Sequence, residues 1–132
     1  TSRQFFKGIL TDKSRAVFSG IVLVKPDAQK TFATQKDMNL LLSRGAEVDT
    51  KPSLLIYADD VQCQHGATAG EMDENALFYM LSRGINKEIA QRMLIHSFAS
   101  EIIQKINPTS LRSQIDKFVS ELSPKFQYER FE

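Results

Sequence analysis

The chain is poor in the features that mark most specialised proteins. One cysteine among 132 residues excludes an internal disulfide and fits a reducing compartment. The apolar runs Ile21–Val24, Leu40–Leu42 and Leu54–Tyr57 all fall far short of the ~18 to 20 residues that a membrane-crossing helix needs. No signal-like N-terminus is present. Lys and Arg number 17 against 16 Asp and Glu, a net charge of +1, and nowhere do the basic residues gather densely enough to suggest a nucleic-acid surface. Two-residue hairpin signals are missing as well. What is present is ordinary for one soluble domain: 42% hydrophobic and 25% charged residues. A start at Thr1, without Met, on a polar segment that carries no helix-capping signal reads as a fragment of a longer chain.

Residues 1–68 show little helical periodicity. Apolar and β-branched stretches over Arg3–Leu10, Ala16–Val24, Lys30–Lys36, Asn39–Leu42, Ala46–Thr50, Ser53–Tyr57 and Val61–Ala67 predict short strands. Lys25-Pro26-Asp27, Ser43-Arg44-Gly45 and Lys51-Pro52 are expected to close three of them. No helix intervenes to make a βαβ crossover. Ile21, Leu40 and Leu55 stand 19 and 15 positions apart. Short strands returning at such intervals describe a solenoid, a parallel β-helix whose coils stack on one another. A β-sandwich is the rival.

Helical signals begin at Asp73. Asp73 is an N-cap, Glu74 suits the positive end of the helix dipole, and Ala76, Leu77, Met80 and Leu81 share a face. Gly84 after Arg83 ends this helix. Asn86 caps a second, carrying Ile89, Ala90, Met93, Leu94, Phe98, Ile102, Ile103 and Ile106, and Asn107-Pro108 breaks it. A third has Leu111, Ile115, Phe118 and Leu122 as a narrow stripe, with Pro124 as its stop. Three helices capping the end of the strand layer is the simplest arrangement. The narrow third stripe either docks on its own chain or meets a partner.

The stretch from Tyr57 to Glu74, where strands give way to helices, holds Cys63 and His65. On a strand, Val61, Cys63, His65 and Ala67 share one face. Their spacing puts the thiol and imidazole about 6 to 7 Å apart at Cα, within reach of one metal ion. Two ligands do not complete a tetrahedral site, and His96, the other imidazole, falls in the second helix. The pair is either half of a metal site or a small buried thiol beside a hydrogen-bonded ring. Asp59-Asp60 could serve as acid and base in a β-helix enzyme acting on polysaccharide, but adjacent strand residues face opposite ways, and turn chemistry is their commoner use. Gly66–Gly70 lacks the ending of a phosphate loop and is expected to let the first helix pack close. No Ser-His-Asp grouping is evident, and His96 reads as a helix-face residue, satisfied or exposed.

Several collinear segments carry a resemblance: RQFFKGIL at 3–10, SRAVFSGIVLV at 14–24, PDAQKTFATQ at 26–35, NLLLS at 39–43, and VDTKPSLLIYADDVQCQHGATAGEMDENALFYMLSRGI at 48–85. Over residues 3 to about 106 the chain resembles the SufB/SufD family of iron–sulfur cluster assembly proteins, and ADDVQCQHGAT and LFYMLSRGI look more like SufD than SufB. Ala69 stands where Val is usual and Met72 where Leu is usual. The resemblance implies a right-handed parallel β-helix over 1–70, the last coils of a longer core, and a helical ATPase-binding domain over 71–132. It implies a non-catalytic subunit of a cytoplasmic or plastid-stromal complex. In that complex the chain pairs with SufB through the β-helix end, binds the ABC-type ATPase SufC through the second and third helices, and supports iron acquisition. The isolated chain would be able to pair with a copy of itself; neither nucleic acid nor membrane is implied. Cys63 and His65 fall on the family's Cys-x-His, which implies ligands to a nascent iron–sulfur cluster or iron, held transiently and shared with SufB, with no tightly bound cofactor. A milder expectation keeps the partners and drops the ligands, leaving a purely structural or regulatory subunit.

Overall fold

The computed structural model describes residues 1–122, 125, 126, 128 and 129. Five strands come first: β1 (Ser2–Leu10), β2 (Arg15–Val24), β3 (Phe32–Leu41), β4 (Glu47–Ile56) and β5 (Gln62–Gly70). Three helices follow: α1 (Glu74–Ser82), α2 (Lys87–Ile103) and α3 (Thr109–Leu122). Consecutive strands do not pair with each other; each pairing joins strands two apart in sequence. The odd-numbered strands form one sheet in the order β1-β3-β5, and the even-numbered strands form a second, β2-β4.

Every pairing is parallel. Ser2 lies beside Ala33, Arg15 beside Glu47, and Phe32 beside Gln62, so the chain returns to the same place after 31, 32 and 30 positions. One turn therefore contains two strands, one in each sheet. The intervals of 19 and 15 seen in the sequence are steps between sheets, not full turns. A β-sandwich, whose strands pair antiparallel, does not fit these ladders.

The strands are fewer and longer than expected. Lys30–Lys36 and Asn39–Leu42 merge into β3, while Ala46–Thr50 and Ser53–Tyr57 merge into β4, which runs straight through Lys51-Pro52. Proline is tolerated there because β4 is an outer strand of its sheet. The real breaks are the corners. They continue the ladders beyond the strands: Leu42 N–H donates to Leu10 O at 2.8 Å, Tyr57 N–H to Val24 O at 2.9 Å, and Gln62 N–H to Thr31 O at 2.9 Å. Ser43 Oγ accepts from Asp12 N–H at 2.9 Å, and a Cβ at Gly45 would stand 2.8 Å from Asp12 O, so the two stacked corners approach too closely for any side chain there.

The helix ends follow their capping residues. Asp73 Oδ1 accepts from the backbone N–H groups of Asn75 and Ala76 at 2.9 and 3.1 Å, and Asn86 Oδ1 from that of Glu88 at 2.8 Å. Gly84 takes φ +84°, the left-handed conformation that ends α1. The expected stop at Pro124 lies outside the described residues. In α3 the inward face is Ile115, Val119 and Leu122, which border a cavity of about 270 Å³ with Ile9, Ala99 and Ile103. Leu111 and Phe118, which the sequence placed on the same stripe, are exposed.

Two apolar clusters hold the molecule. Val22, Val24, Ala33 and Ala58 pack between the sheets, with Val61 and Cys63 against them. Leu40 and Leu42 join Met72, Leu77, Ala90, Ile95 and Tyr128, and so tie the end of the strand layer to the helices. Between the clusters the inner face of β3 is polar: Gln35, Asp37 and Asn39 are all buried.

A single cation also joins strands to helices. The Lys7 side chain, only 5% exposed, donates to Phe98 O at 2.7 Å and to Glu101 Oε2 at 2.5 Å, and its ammonium lies 4.1 Å from the centre of the Phe98 ring. The hydrogen bond from Lys7 holds the Glu101 carboxyl below its usual range against a smaller opposing effect of burial, and the charges of Lys7, Lys105 and Lys36 act in the same direction as that bond. A carboxyl with a folded pKa below its unfolded value, about 4.3 for Glu, contributes stability at higher pH and loses it as pH falls through the folded value. Chemical denaturation in stepped acid buffers should show wild-type stability falling faster than that of Glu101→Gln as pH drops below the ordinary carboxylate range. Identical pH profiles would remove Glu101 from the account.

Candidate site on the open edge strand

β5 is the last strand of its sheet, so one side of its backbone is unpaired among the described residues. All of its residues are exposed except Cys63, which is half-buried. Alternation puts Cys63 and His65 on the same face. Cys63 pairs in register with Ala33 and packs toward the inter-sheet cluster, which identifies that face as the inner one. His65 pairs in register with Gln35, one turn below, and is exposed. The thiol thus has an apolar floor and the imidazole an open side.

Among the described residues no group of three or more His, Cys, Asp and Glu stands close enough to hold a metal ion. Cys63 and His65 therefore have no third ligand from the described part of the chain. Thiolate sulfur and imidazole nitrogen suit iron and iron–sulfur chemistry, and a strand edge presents both to whatever pairs with it.

The other sequence candidates resolve differently. Asp59 and Asp60 lie in the corner between β4 and β5. The Asp60 carboxylate forms an ion pair with Lys30, and its N–H donates to Gln29 Oε1 at 3.0 Å. This is corner chemistry. Gly66 and Gly70 do not serve close helix packing: a Cβ at either would meet nothing within 4 Å. They belong to an edge strand on which nothing among the described residues stacks.

His96 is a helix-face residue whose ring is satisfied on both sides. Its Nε2 lies 3.0 Å from Asp116 Oδ1 on α3, and its Nδ1 lies 3.2 Å from Ser100 Oγ one turn along α2. The sequence shows the four-residue spacing of His96 and Ser100, but only the docking of α3 brings in Asp116. Here the hydroxyl shares Nδ1 and the carboxylate shares Nε2, and the group joins α3 to α2.

A model of the family described as SUF system FeS cluster assembly, SufBD core domain, matches residues 1–98. The chain belongs to the SufB/SufD family. It is 49% identical over 114 residues to the iron–sulfur cluster assembly protein SufD of Escherichia coli K12, covering 86% of this chain and 27% of that protein. It is 46% identical over 122 residues to the chloroplastic protein ABCI7 of Arabidopsis thaliana, covering 92% of this chain and 26% of that protein. Bacillus subtilis SufD is 35% identical over 108 residues, covering 82% of this chain and 25% of that protein. The chain thus spans about a quarter of the length of these curated relatives. The SufB/SufD match covers all five strands, α1 and much of α2, and Cys63 and His65 lie within it.

Replacing His96 with Ala removes the link between α2 and α3. The expected cost is on the order of 1 kcal/mol, seen as faster amide hydrogen exchange confined to α3. Unchanged protection of α3 would show that apolar packing alone seats this helix.

Proposed function

We propose that this chain is a non-catalytic scaffold segment of the SUF machinery, which assembles iron–sulfur clusters with an ATPase that belongs to another subunit. The observation that carries the reading is the position of Cys63 and His65: a thiol and an imidazole on one face of an edge strand, inside the SufB/SufD core match. The pair contributes two ligands to a nascent cluster or to iron on its way there. A SufB-type partner adding a strand to the open edge of β5 supplies the rest. The cluster is cargo, held in passing and shared between the two chains.

In this reading the parallel stack over 1–70 is part of a right-handed β-helix, and residues 71–132 form the unit that binds a SufC-type ATPase. Exposed apolar side chains support the second assignment: Phe78 and Tyr79 on α1, Ile89 and Met93 on α2, and Phe118 on α3. The bacterial and chloroplastic relatives point to the bacterial cytoplasm or the plastid stroma as the place of work.

A second reading keeps the partners and gives Cys63 only a packing role. Its support is the half-burial of the thiol against the cluster of Val22, Val24, Ala33 and Ala58. The two part on one experiment. His65→Ala and Cys63→Ser are introduced into the full-length protein, which is then co-expressed with its SufB-type and SufC-type partners, and the purified complex is assayed for iron and sulfide. Iron and sulfide should fall close to background while the complex still co-purifies. An intact complex with wild-type loading would leave the structural reading standing.

Truncating the full-length protein after Gly84 removes α2 and α3 and should abolish capture of the ATPase. Retained capture at wild-type yield would move that contact onto α1 or the strands.

A further inference from the structure

A ladder of polar side chains runs along the inner face of the odd-numbered sheet. Gln4, Gln35 and His65 occupy one register position in three successive strands. Gln35 is 1% exposed, and its Nε2 donates to Gln4 Oε1 at 2.7 Å. Its Oε1 is buried and has no hydrogen-bond partner among the described residues. The oxygen and nitrogen of a primary amide diverge, so with Nε2 committed to Gln4 on β1 the oxygen is the end available to β5, the strand that carries His65. The opposite sheet makes room for this arrangement: a Cβ at Gly20 would lie 2.7 Å from Gln35 Nε2, so a larger residue there would have to displace the amide. Gln35 is thereby fixed from two sides, with one acceptor left over on the side of the imidazole.

Stacked amides in parallel ladders link donor to acceptor from one strand to the next. The donor due at the third position is not an amide but an imidazole N–H. We propose that Gln35 is the positioning residue for His65: Gln35 Oε1 accepts one ring N–H, holds the ring in one tautomer and orientation, and leaves the lone pair of the other nitrogen directed at a metal ion. Imidazole ligands commonly donate their second nitrogen to an oxygen in this way. The ligand part of this statement rests on the function proposed above; the hydrogen bond does not.

The test separates the two. In the full chain, the His65 ring N–H should give an observable proton resonance at alkaline pH, because a proton shared with a buried acceptor exchanges slowly with water. Gln35→Leu should erase that resonance while the amide spectrum shows the fold retained. Gln35→Glu, which keeps an acceptor oxygen and lets Gln4 turn its own amide to donate, should restore it. No such resonance in the wild-type chain, or one that survives Gln35→Leu, would overturn the proposal, and the wild-type measurement decides this even if a variant fails to fold. In the full-length complex, Gln35→Leu should lower iron and sulfide loading and Gln35→Glu should recover it. A resonance that behaves as stated, together with wild-type loading in His65→Ala, would uphold the ladder and overturn the ligand reading alone.

Discussion

Parallel stacking at a return of 30 to 32 residues is the constraint on which the rest of this structure depends. In such a stack the neighbour of a residue is not the next one in sequence but its counterpart one turn away. A side chain that suits the inner face in one turn must tolerate its counterpart in the next. Leu10 beside Leu41 and Ala33 beside Cys63 follow this rule with apolar groups, and Gln4, Gln35 and His65 follow it with polar ones. Cys63 and His65 are set above Ala33 and Gln35, both of which are buried. Their geometry comes from β3 as much as from β5.

The helices add a second fixed point. Leu40, on the face of β3 opposite Gln35 and Asn39, joins Leu42 in packing against α1 and α2, so the helices cover the outer face of the odd-numbered sheet. Lys7 on that same face places one charge where a strand, a helix carbonyl, a carboxylate and an aromatic ring converge. A buried ammonium is tolerated only with such a full set of partners. The link therefore holds one relative placement of β1 and α2 rather than many.

Much of this was legible in the residues, and what was not has a physical cause. Helix ends could be read because capping is local: Asp73, Asn86 and Gly84 act within a few positions of themselves. The shared face of Cys63 and His65 could be read because alternation is local too. The number of strands in a turn could not, since it depends on which strands pair at a distance of about thirty residues. Lys51-Pro52 looked like an end because proline usually is one, and only membership of an outer strand makes it harmless. Gly66 and Gly70 looked like packing residues because their environment is set by what fails to stack on β5. Asp116 beside His96 required the docking of two helices whose exposed and inward faces differ by only a small rotation about the axis.

Pro52 carries one more consequence. A body made of like turns invites further turns, and copies of such a body tend to join end to end into filaments. The last turn here ends in two outer strands, β4 and β5, and they are unequal. β5 keeps every backbone N–H, whereas β4 has a proline near its midpoint and so breaks the regular series of donors that a second stack would have to match. Growth through both sheets at once is discouraged, and one-sheet pairing at β5 is left as the easier contact. The residue expected to end a strand instead leaves β4 one backbone donor short.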